Sequence, residues 1–188
     1  MQELKYMQAG IVTTDKELEQ IVALSHKNLR KNISEEDQVI SGFITWLYSL
    51  DLLRQMNAQH PHIIVKDNDN VIGYALVALK EASGFHPDLK AMVLHLEALT
   101  YDHKSLGEYR YYVMGQICID HAYRGKGIFS MLYEEHKRLF RNEFDFVVTE
   151  ISTINIRSMA AHKKTGFKTI HTYRDALDEW NVVLWDWN

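Results

Sequence analysis

The chain has 188 residues, of which 46% are hydrophobic and 24% charged, with a net charge of −4 at neutral pH. This composition is ordinary for a soluble protein with a proper core, and it disfavours a nucleic-acid binder. The one cysteine, Cys118, excludes an internal disulfide and fits a reducing compartment. No apolar run approaches membrane-spanning length, and no signal-peptide pattern is present. With no linker or low-complexity stretch in the chain, we expect one cytoplasmic domain over residues 1–188, with neither a membrane nor a nucleic-acid partner.

The first half of the chain predicts helices between a first strand and a hairpin. Apolar residues at helical spacing predict an amphipathic helix from Asp15 to Leu29, with Thr14 or Asp15 as its cap. Two strand-like runs separated by a turn rich in Asp and Asn predict a β-hairpin. The expected elements are a strand at 6–13, helices at 15–29, 34–47 and 50–58, and hairpin strands at 62–66 and 71–79.

The second half predicts an alternation of strands and helices. Apolar residues at helical spacing place one helix between His86 and Leu99, and two apolar rows mark a second helix as largely buried. The expected elements are helices at 86–99, 128–140 and 156–165, and strands at 111–120, 145–151, 167–173 and 181–187.

The clearest functional signal is the turn between strand 111–120 and helix 128–140, which reads Tyr-Arg-Gly-Lys-Gly-Ile from Tyr123 to Ile128. A glycine-containing turn that opens a helix presents backbone N–H groups at the positive end of the helix dipole. Gly125 and Gly127 carry no Cβ, so an anion can approach the backbone closely. With the positive charges of Arg124 and Lys126 beside it, this turn suits a pyrophosphate.

Two common phosphate-binding motifs do not fit this turn. A nucleotide P-loop requires Gly-x-x-x-x-Gly-Lys followed by Ser or Thr, but Asp120 stands in the first glycine position and Gly127 follows Lys126. A dinucleotide-binding fingerprint requires Gly-x-Gly-x-x-Gly after the first strand, but Ser130 takes the place of the third glycine.

A second block follows one strand later and reads Asn-Ile-Arg-Ser-Met-Ala-Ala-His-Lys-Lys-Thr-Gly-Phe from Asn155 to Phe167. Together the two blocks resemble the GNAT superfamily of acyl-CoA-dependent N-acyltransferases, over residues 110–175. The resemblance implies an α/β fold, with a mixed twisted sheet and helices on both faces. Strands 111–120 and 145–151 should be parallel neighbours, because a helix crossover joins them.

The resemblance also implies acetyl-CoA as the co-substrate and assigns residues to it. The turn that follows strand 111–120 would hold the pyrophosphate, with Arg124 and Lys126 either as phosphate contacts or as plain surface charges. Phe129 stands where the family has Gly or Ala, so its side chain must point into the core. Asn155 would bind the pantetheine arm, or cap helix 156–165, or both. The expected cofactor-binding residues are Ile117, Cys118, Ile119, Arg124, Gly125, Lys126, Gly127, Ile128, Phe129, Asn155 and Ser158.

Acyl transfer to an amine requires a neutral amine, a polarised thioester carbonyl and a proton for the departing thiolate. His162 stands where the family often has a tyrosine that protonates the thiolate, and an imidazole can do the same near neutral pH. Alternatively, His162 lies on the protein surface without a catalytic role, and Tyr133 or Tyr173 donates the proton. The general base could be Glu150, at the end of its strand, or Glu97 or Glu108, or water alone. The expected catalytic residues are His162, Glu150 and Tyr173.

The segment 81–109 departs from the family pattern, in which a shorter turn leads from the hairpin to the cofactor strand. A long connection with its own helix is often functional, so this insertion is either a lid or acceptor-site wall, or an extra packing layer or dimer contact. The predicted function is an N-acetyltransferase that acts on an amine by direct attack in a ternary complex. The alternative is a CoA-binding sensor or partner-binding domain without catalysis. A small amine or a protein N-terminus is the expected acceptor. A homodimer is possible. Because no residue cluster has metal-ligand spacing, no metal is expected.

Overall fold

The computed structural model describes residues 7–187, which contain a seven-stranded mixed sheet with helices on both faces, as expected. The strand order is β1-β2-β3-β6-β7-β9-β8. The strands are β1 (Met7–Ile11), β2 (Ile63–Asp67), β3 (Asn70–Ala78), β6 (Tyr111–Ile119), β7 (Phe146–Ser152), β8 (Lys168–Arg174) and β9 (Glu179–Asp186), and β4 (Thr100–Tyr101) and β5 (Lys104–Ser105) form a separate small hairpin. The helices are α1 (Asp15–Asn28), α2 (Glu35–Ser41), α3 (Leu50–Gln59), α4 (Pro87–Glu97), α5 (Ile128–Phe140) and α6 (Ile156–Thr165). Within these residues, no helix combines the length and the apolar character needed to cross a membrane.

Helix α1 follows β1 and begins as its sequence indicates. The Thr14 side chain accepts a hydrogen bond from the backbone N–H of Glu17, and the Glu17 carboxylate accepts one from the Thr14 N–H. This reciprocal capping satisfies two backbone donors that a helix N-terminus otherwise leaves open. The predicted cap at Thr14 is therefore confirmed, whereas Tyr6, the first residue of the strand predicted at 6–13, lies outside the described residues.

The helix predicted from residue 34 to residue 47 is wrong in its second half. Helix α2 ends at Ser41, and the next residue, Gly42, has a positive φ of +72°. The chain then runs extended, with Ile44 bridged to Leu29. Val39 and Ile40, two of the apolar residues through which the predicted helix runs, are 65% and 62% exposed. The glycine inside the apolar run was the signal for this break, because it readily adopts positive φ.

Helix α5 crosses over the sheet and makes β6 and β7 parallel neighbours, which confirms that prediction. Tyr111 pairs with Phe146, and Val113 pairs with Val148. The register ends there, so the two strands separate beyond Val113. On its other side β6 continues to pair with β3 as far as Ile119. This divergence of two central parallel strands opens a cleft at the middle of the sheet.

The insertion between β3 and β6 folds against the sheet face that also carries α1 and α3. Leu89 and Leu96 of α4 and Leu106 beyond β5 are buried in that core. Lys80 closes the insertion at its base, because its ammonium donates to the backbone carbonyls of Gly107 at 3.0 Å and Tyr109 at 3.1 Å. The insertion is therefore a packed part of the fold, and it brings the side chains of α4 toward the end of the sheet that carries β7, β9 and β8.

Candidate active site

The cleft between β6 and β7 forms a cavity of about 100 Å³. Thr149 donates its hydroxyl to the Met114 carbonyl at 2.8 Å, one residue beyond the last paired residues of the two strands. Beyond it, among the described residues, no strand pairs with the β7-facing edge of β6. The lining comes from β6, β7, β9, the segment after α2, and α6 with its cap. The lining residues are Phe43, Ile44, Thr45, Trp46, Tyr48, Met114, Gly115, Gln116, Ile117, Thr149, Glu150, Ile151, Ser152, Asn155, Ser158, His162 and Trp180.

The glycine turn adopts the conformation that its sequence indicates. Gly125 and Gly127 have φ values of +76° and +82°, in the left-handed region that favours glycine. A Cβ added at either position would meet no heavy atom within 4 Å, so the space beside the backbone is open. Gly127 precedes α5, and none of the described side chains caps this helix N-terminus. The N–H groups of the first helical turn therefore have no capping side chain among the described residues, and they lie at the positive end of the helix.

The two cationic side chains of the turn have different surroundings. The Arg124 guanidinium donates to the Asn28 side-chain oxygen at 2.6 Å and to the Ile119 carbonyl at 3.3 Å, so it ties the turn to the end of α1. It also lines a second cavity, of about 520 Å³. The Lys126 ammonium lies 5.1 Å from the Tyr123 ring centre. Arg124 thus has structural partners inside the protein, whereas Lys126 lies on the exposed side of the turn.

Phe129 and Ile128 pack inward from the first turn of α5. The Phe129 ring lies 5.0 Å from the Tyr133 ring and 5.1 Å from the His162 ring. Ile128 is buried against the sheet, close to Gly73 of β3. The bulky residue at position 129 therefore leaves the backbone of the turn uncovered, in agreement with the expectation from its size.

Strand residues 117–119 differ in their relation to the cleft. Ile117 lines the cavity, while Cys118 points into the core and is buried. Burial raises the pKa of the Cys118 thiol to about 12, so the thiol is protonated at neutral pH. This environment suits a small core residue rather than a nucleophile.

Asn155 begins α6 and uses its whole side chain within the protein. Its oxygen accepts from the Ser158 N–H at 3.3 Å, as an N-cap does, and its amide donates to the Phe43 carbonyl at 2.9 Å. The buried amide therefore fixes the segment after α2 over the cavity. The N-cap alternative from the sequence is present, and Asn155 also lines the cavity with Ser158.

His162 is 1% exposed, which excludes the surface alternative for this residue. Its Nδ1 donates to the Ser158 carbonyl at 2.8 Å, because a carbonyl can only accept. Its Nε2 lies 2.7 Å from the Tyr133 hydroxyl, which then donates to it. Burial lowers the pKa of His162 to about 4, so the imidazole is neutral at pH 7 with its proton on Nδ1.

Glu150 places a carboxyl in the cavity wall. Burial raises its pKa to about 7, the Tyr173 hydroxyl partly opposes this increase, and the Asp175 charge adds to it. Its Oε1 is buried without a hydrogen-bond partner among the described residues. A buried carboxyl with such a pKa exchanges a proton near neutral pH, which is what a general base requires.

The two other carboxylates considered from the sequence have structural partners. Glu108 accepts from the Ser105 backbone N–H at 2.9 Å in a capping box. Glu97 lies 3.5 Å from the Lys80 ammonium. Neither lines the cavity, so the structure brings Glu150, and not Glu97 or Glu108, together with His162.

Several cavity residues were not singled out from the sequence because no motif marks them. Trp46 and Tyr48 come from the extended segment before α3, and Trp180 comes from β9. Tyr48 donates to the Gly115 carbonyl at 3.3 Å, and the Gln116 amide donates to the Trp46 carbonyl at 2.7 Å. A tryptophan and a tyrosine two residues apart before a helix were the available signal.

The raised pKa of Glu150 predicts a pH dependence of stability. The folded protein binds this proton up to about pH 7, whereas the unfolded chain releases it near pH 4.5, so the free energy of unfolding falls as pH rises between these values. Glu150→Gln removes this titration. We therefore expect the free energy of unfolding of the variant, minus that of the unmodified protein, to be larger at pH 8 than at pH 4.5 by up to about 3 kcal/mol. Urea unfolding of both proteins at these two pH values measures the effect, and an equal difference at both would contradict it.

Nowhere between residues 7 and 187 do three or more His, Cys, Asp or Glu side chains group in a way that could hold a metal ion.

Solved structures of known proteins share this fold. The NatC complex bound to Gag peptide and CoA matches with a TM-score of 0.63 and 14% identity, covering 97% of this chain and 99% of that one. The ribosomal-protein-S18-alanine N-acetyltransferase from Escherichia coli matches with a TM-score of 0.63 and 10% identity, covering 96% and 93%. The putative acetyltransferase yncA from Salmonella typhimurium, with its cofactor acetyl-CoA, matches with a TM-score of 0.64 and 14% identity, covering 98% and 95%. At these identities the similarity shows the fold alone.

No curated protein matches the chain in sequence. The family model for the acetyltransferase (GNAT) family, however, matches residues 32–167. This range is more than half of the chain, and it contains both the glycine turn and the block from Asn155 to Phe167. The chain therefore belongs to the GNAT acetyltransferase family.

Proposed function

We propose that the protein is an acetyl-CoA-dependent N-acetyltransferase that acts by direct attack of an amine in a ternary complex. The observation that carries this proposal is the position of Glu150, a carboxyl with a pKa of about 7, in the cleft where β6 and β7 separate. A proton acceptor matched to neutral pH at this place serves amine chemistry, whereas a site that only binds CoA has no need of it.

The residues of the turn and the cleft fit CoA. The open N–H groups before and within the first turn of α5 would hold the pyrophosphate, at Arg124, Gly125, Lys126, Gly127, Ile128 and Phe129. The free edge of β6 at Ile117, Cys118 and Ile119 would pair with the pantetheine arm like a further strand, with Asn155 and Ser158 on the opposite wall. Two similar solved structures contain CoA or acetyl-CoA, which supports this assignment.

Acetyl-CoA would supply an acetyl thioester, and the chain's own groups would move the protons. Glu150 takes the proton from the amine, so that the nitrogen lone pair is available. N–H groups on the free edge of β6 donate to the thioester carbonyl oxygen, where negative charge develops. The C–N bond forms as the C–S bond breaks, and the nitrogen releases its second proton to water. His162 gives its Nδ1 proton to the departing thiolate, and the proton held by Glu150 then restores the neutral imidazole. Because the Nδ1–H of His162 is bonded to the Ser158 carbonyl, the thiolate must compete with that carbonyl for it.

The acceptor is proposed to be a small-molecule amine or a protein N-terminus. A cavity of about 100 Å³ admits an amino group and little more, so the rest of the acceptor would lie outside it. The similar structures include a complex with a peptide and an enzyme for a ribosomal protein, which supports an N-terminal acceptor but does not decide against a small amine.

The proposal also includes one domain over residues 1–188 and a cytoplasmic location, in keeping with the free thiol of Cys118.

Thiol release from acetyl-CoA tests the function. The protein is incubated with acetyl-CoA and, separately, with small primary amines, polyamines, amino acids and short peptides that have a free N-terminus. Release that depends on one class of amine supports the proposal. Tight binding of CoA with no release above the rate without protein, for every acceptor, would favour a CoA-binding sensor.

His162→Ala is expected to lower turnover at least tenfold while CoA affinity changes little. General acid catalysis contributes roughly 10²–10⁴ in rate, and the position faces the cavity where the thiolate departs. His162→Tyr should restore part of the rate, because a phenol can donate a proton from the same place. Steady-state kinetics with an acceptor that the unmodified protein uses, together with calorimetry of CoA binding, measure both quantities.

The variants also require a stability control, because His162 accepts the hydrogen bond of the buried Tyr133 hydroxyl. Its removal leaves that hydroxyl unpaired, at a cost of about 1–3 kcal/mol. Tyr133→Phe removes the same bond and keeps the imidazole, so it reports the structural part alone. If His162→Ala is no slower than Tyr133→Phe, the proton comes from Tyr173 or from water.

A further inference from the structure

We propose that the insertion between β3 and β6 is part of the catalytic apparatus, because His95 of α4 positions the Tyr173 ring so that its hydroxyl stays beside Glu150. That this contact matters for catalysis rests on the proposed function, whereas the effect of His95 on Tyr173 and Glu150 does not. His95 is a positioning residue here, since it acts on Glu150 through Tyr173.

The three side chains lie on one face of the sheet, on three different elements. Strand β9 lies between β7 and β8, with Glu150 opposite Val182 and Tyr173 opposite Trp180. Val182 and Trp180 are two residues apart, so their side chains share one face. Glu150 and Tyr173 therefore approach each other across β9, on the face that α4 covers.

The contact from α4 to Tyr173 is a close ring contact. The His95 and Tyr173 ring centres lie 4.2 Å apart with planes tilted by 46°, and the next ring, that of His171, lies 5.9 Å from His95 and 6.3 Å from Tyr173. Burial lowers the pKa of His95, with a smaller contribution from His171, so His95 is neutral at pH 7. Its Nε2 is buried without a hydrogen-bond partner among the described residues. His95 therefore acts through the shape of its ring and not through a charge or a fixed bond.

Helix α4 is held firmly enough to transmit this contact. Leu96, next to His95, is fully buried, and Leu89 lies two turns earlier in the same core. At its first turn, the His86 ring lies 5.1 Å from Trp46, which lines the cavity. The insertion thus contacts the cavity-lining Trp46 at the start of α4 and Tyr173 near its end, which favours a functional role over an extra packing layer.

The groups that face Glu150 come from three elements, and their effects differ in sign. Tyr173 on β8 lowers the pKa of Glu150, and Asp175 after β8 raises it, both against the larger effect of burial. Tyr48, before α3, is also close enough for the Glu150 charge to raise its own pKa, after the larger effect of burial. Among these groups, only Tyr173 stabilises the ionised form of the Glu150 carboxyl. Loss of its hydroxyl, or of its orientation, must therefore shift the titration of Glu150 to higher pH.

The test measures the titration of Glu150 directly in the full chain without CoA or acceptor. Infrared spectra across pH, with the spectrum of the Glu150→Gln protein subtracted, give the midpoint at which this carboxyl releases its proton. We expect Tyr173→Phe to raise the midpoint by about one pH unit and His95→Ala to raise it by at least about half a unit. His95→Phe, which keeps a ring and removes an unpaired buried nitrogen, should stay close to the unmodified protein.

Each outcome decides the proposal. A midpoint in His95→Ala that stays or falls overturns it, since loss of packing alone would admit water and lower the pKa. A shift in His95→Phe as large as in His95→Ala overturns it as well, because the ring contact would then not be the cause. Thermal unfolding confirms that each variant is folded. If the midpoints follow the expected order but no amine is acetylated, the positioning stands and the proposed function fails.

Discussion

Replacement of Glu150 by glutamine is expected to lower kcat/KM for the acceptor at least a hundredfold at pH 7.5, with the dissociation constant of CoA unchanged. General base catalysis contributes roughly 10²–10⁴ in rate, and a glutamine amide cannot take a proton. The unmodified protein should gain activity as pH rises through about 7, where Glu150 loses its proton. The variant should lack this step. Initial rates between pH 5.5 and 9 with one acceptor, at saturating acetyl-CoA, give both results.

The two other carboxylates provide matched controls for this prediction. Glu97→Gln and Glu108→Gln make the same chemical change outside the cavity, at side chains that pair with Lys80 and with the Ser105 backbone. Both should keep activity within a few-fold of the unmodified protein. Equal rates for Glu150→Gln and the unmodified protein would mean that the amine loses its proton through water. A large loss in Glu108→Gln or Glu97→Gln would move the base to the insertion.

The parts of the fold that follow from the sequence are those set by local chemistry. Helix α5 begins where the glycine turn ends, and α6 begins at Asn155, because the cap and the left-handed glycine act within a few residues of the boundary. The parallel pairing of β6 and β7 follows from the crossover between them. The end of α2 was missed because Val39 and Ile40 continue an apolar pattern that the structure leaves exposed.

The site was predictable only where a motif marks it. His162 and Glu150 are proposed from their positions in the sequence, but their protonation depends on burial by residues far along the chain. The pKa of His162 falls to about 4 because it is enclosed, while the family position alone suggested an ordinary imidazole. Trp46, Tyr48 and His95 reach the cavity or Tyr173 through tertiary packing, which no local pattern encodes.

Replacement of Gly127 by valine is expected to weaken CoA binding at least tenfold, about 1.4 kcal/mol, when measured by calorimetry. Gly127 has φ +82° and lies directly before α5, whose first backbone N–H groups have no side-chain cap among the described residues. A Cβ here meets no protein atom, so the valine side chain would extend into the region where the pyrophosphate is proposed to lie. The substitution would therefore obstruct the ligand without a clash inside the protein.

Valine also disfavours a left-handed backbone. Weaker CoA binding could therefore come either from an obstructed site or from a distorted turn, and the two causes must be distinguished. Gly127→Asn supplies the separation, because asparagine is similar in size and tolerates this conformation far better. If the side chain blocks the anion, both variants bind CoA at least tenfold more weakly, and the asparagine variant keeps a thermal midpoint near that of the unmodified protein. If only valine weakens binding, strain in the turn is the cause. Unchanged affinity in both variants would place the pyrophosphate elsewhere than at the N-terminus of α5.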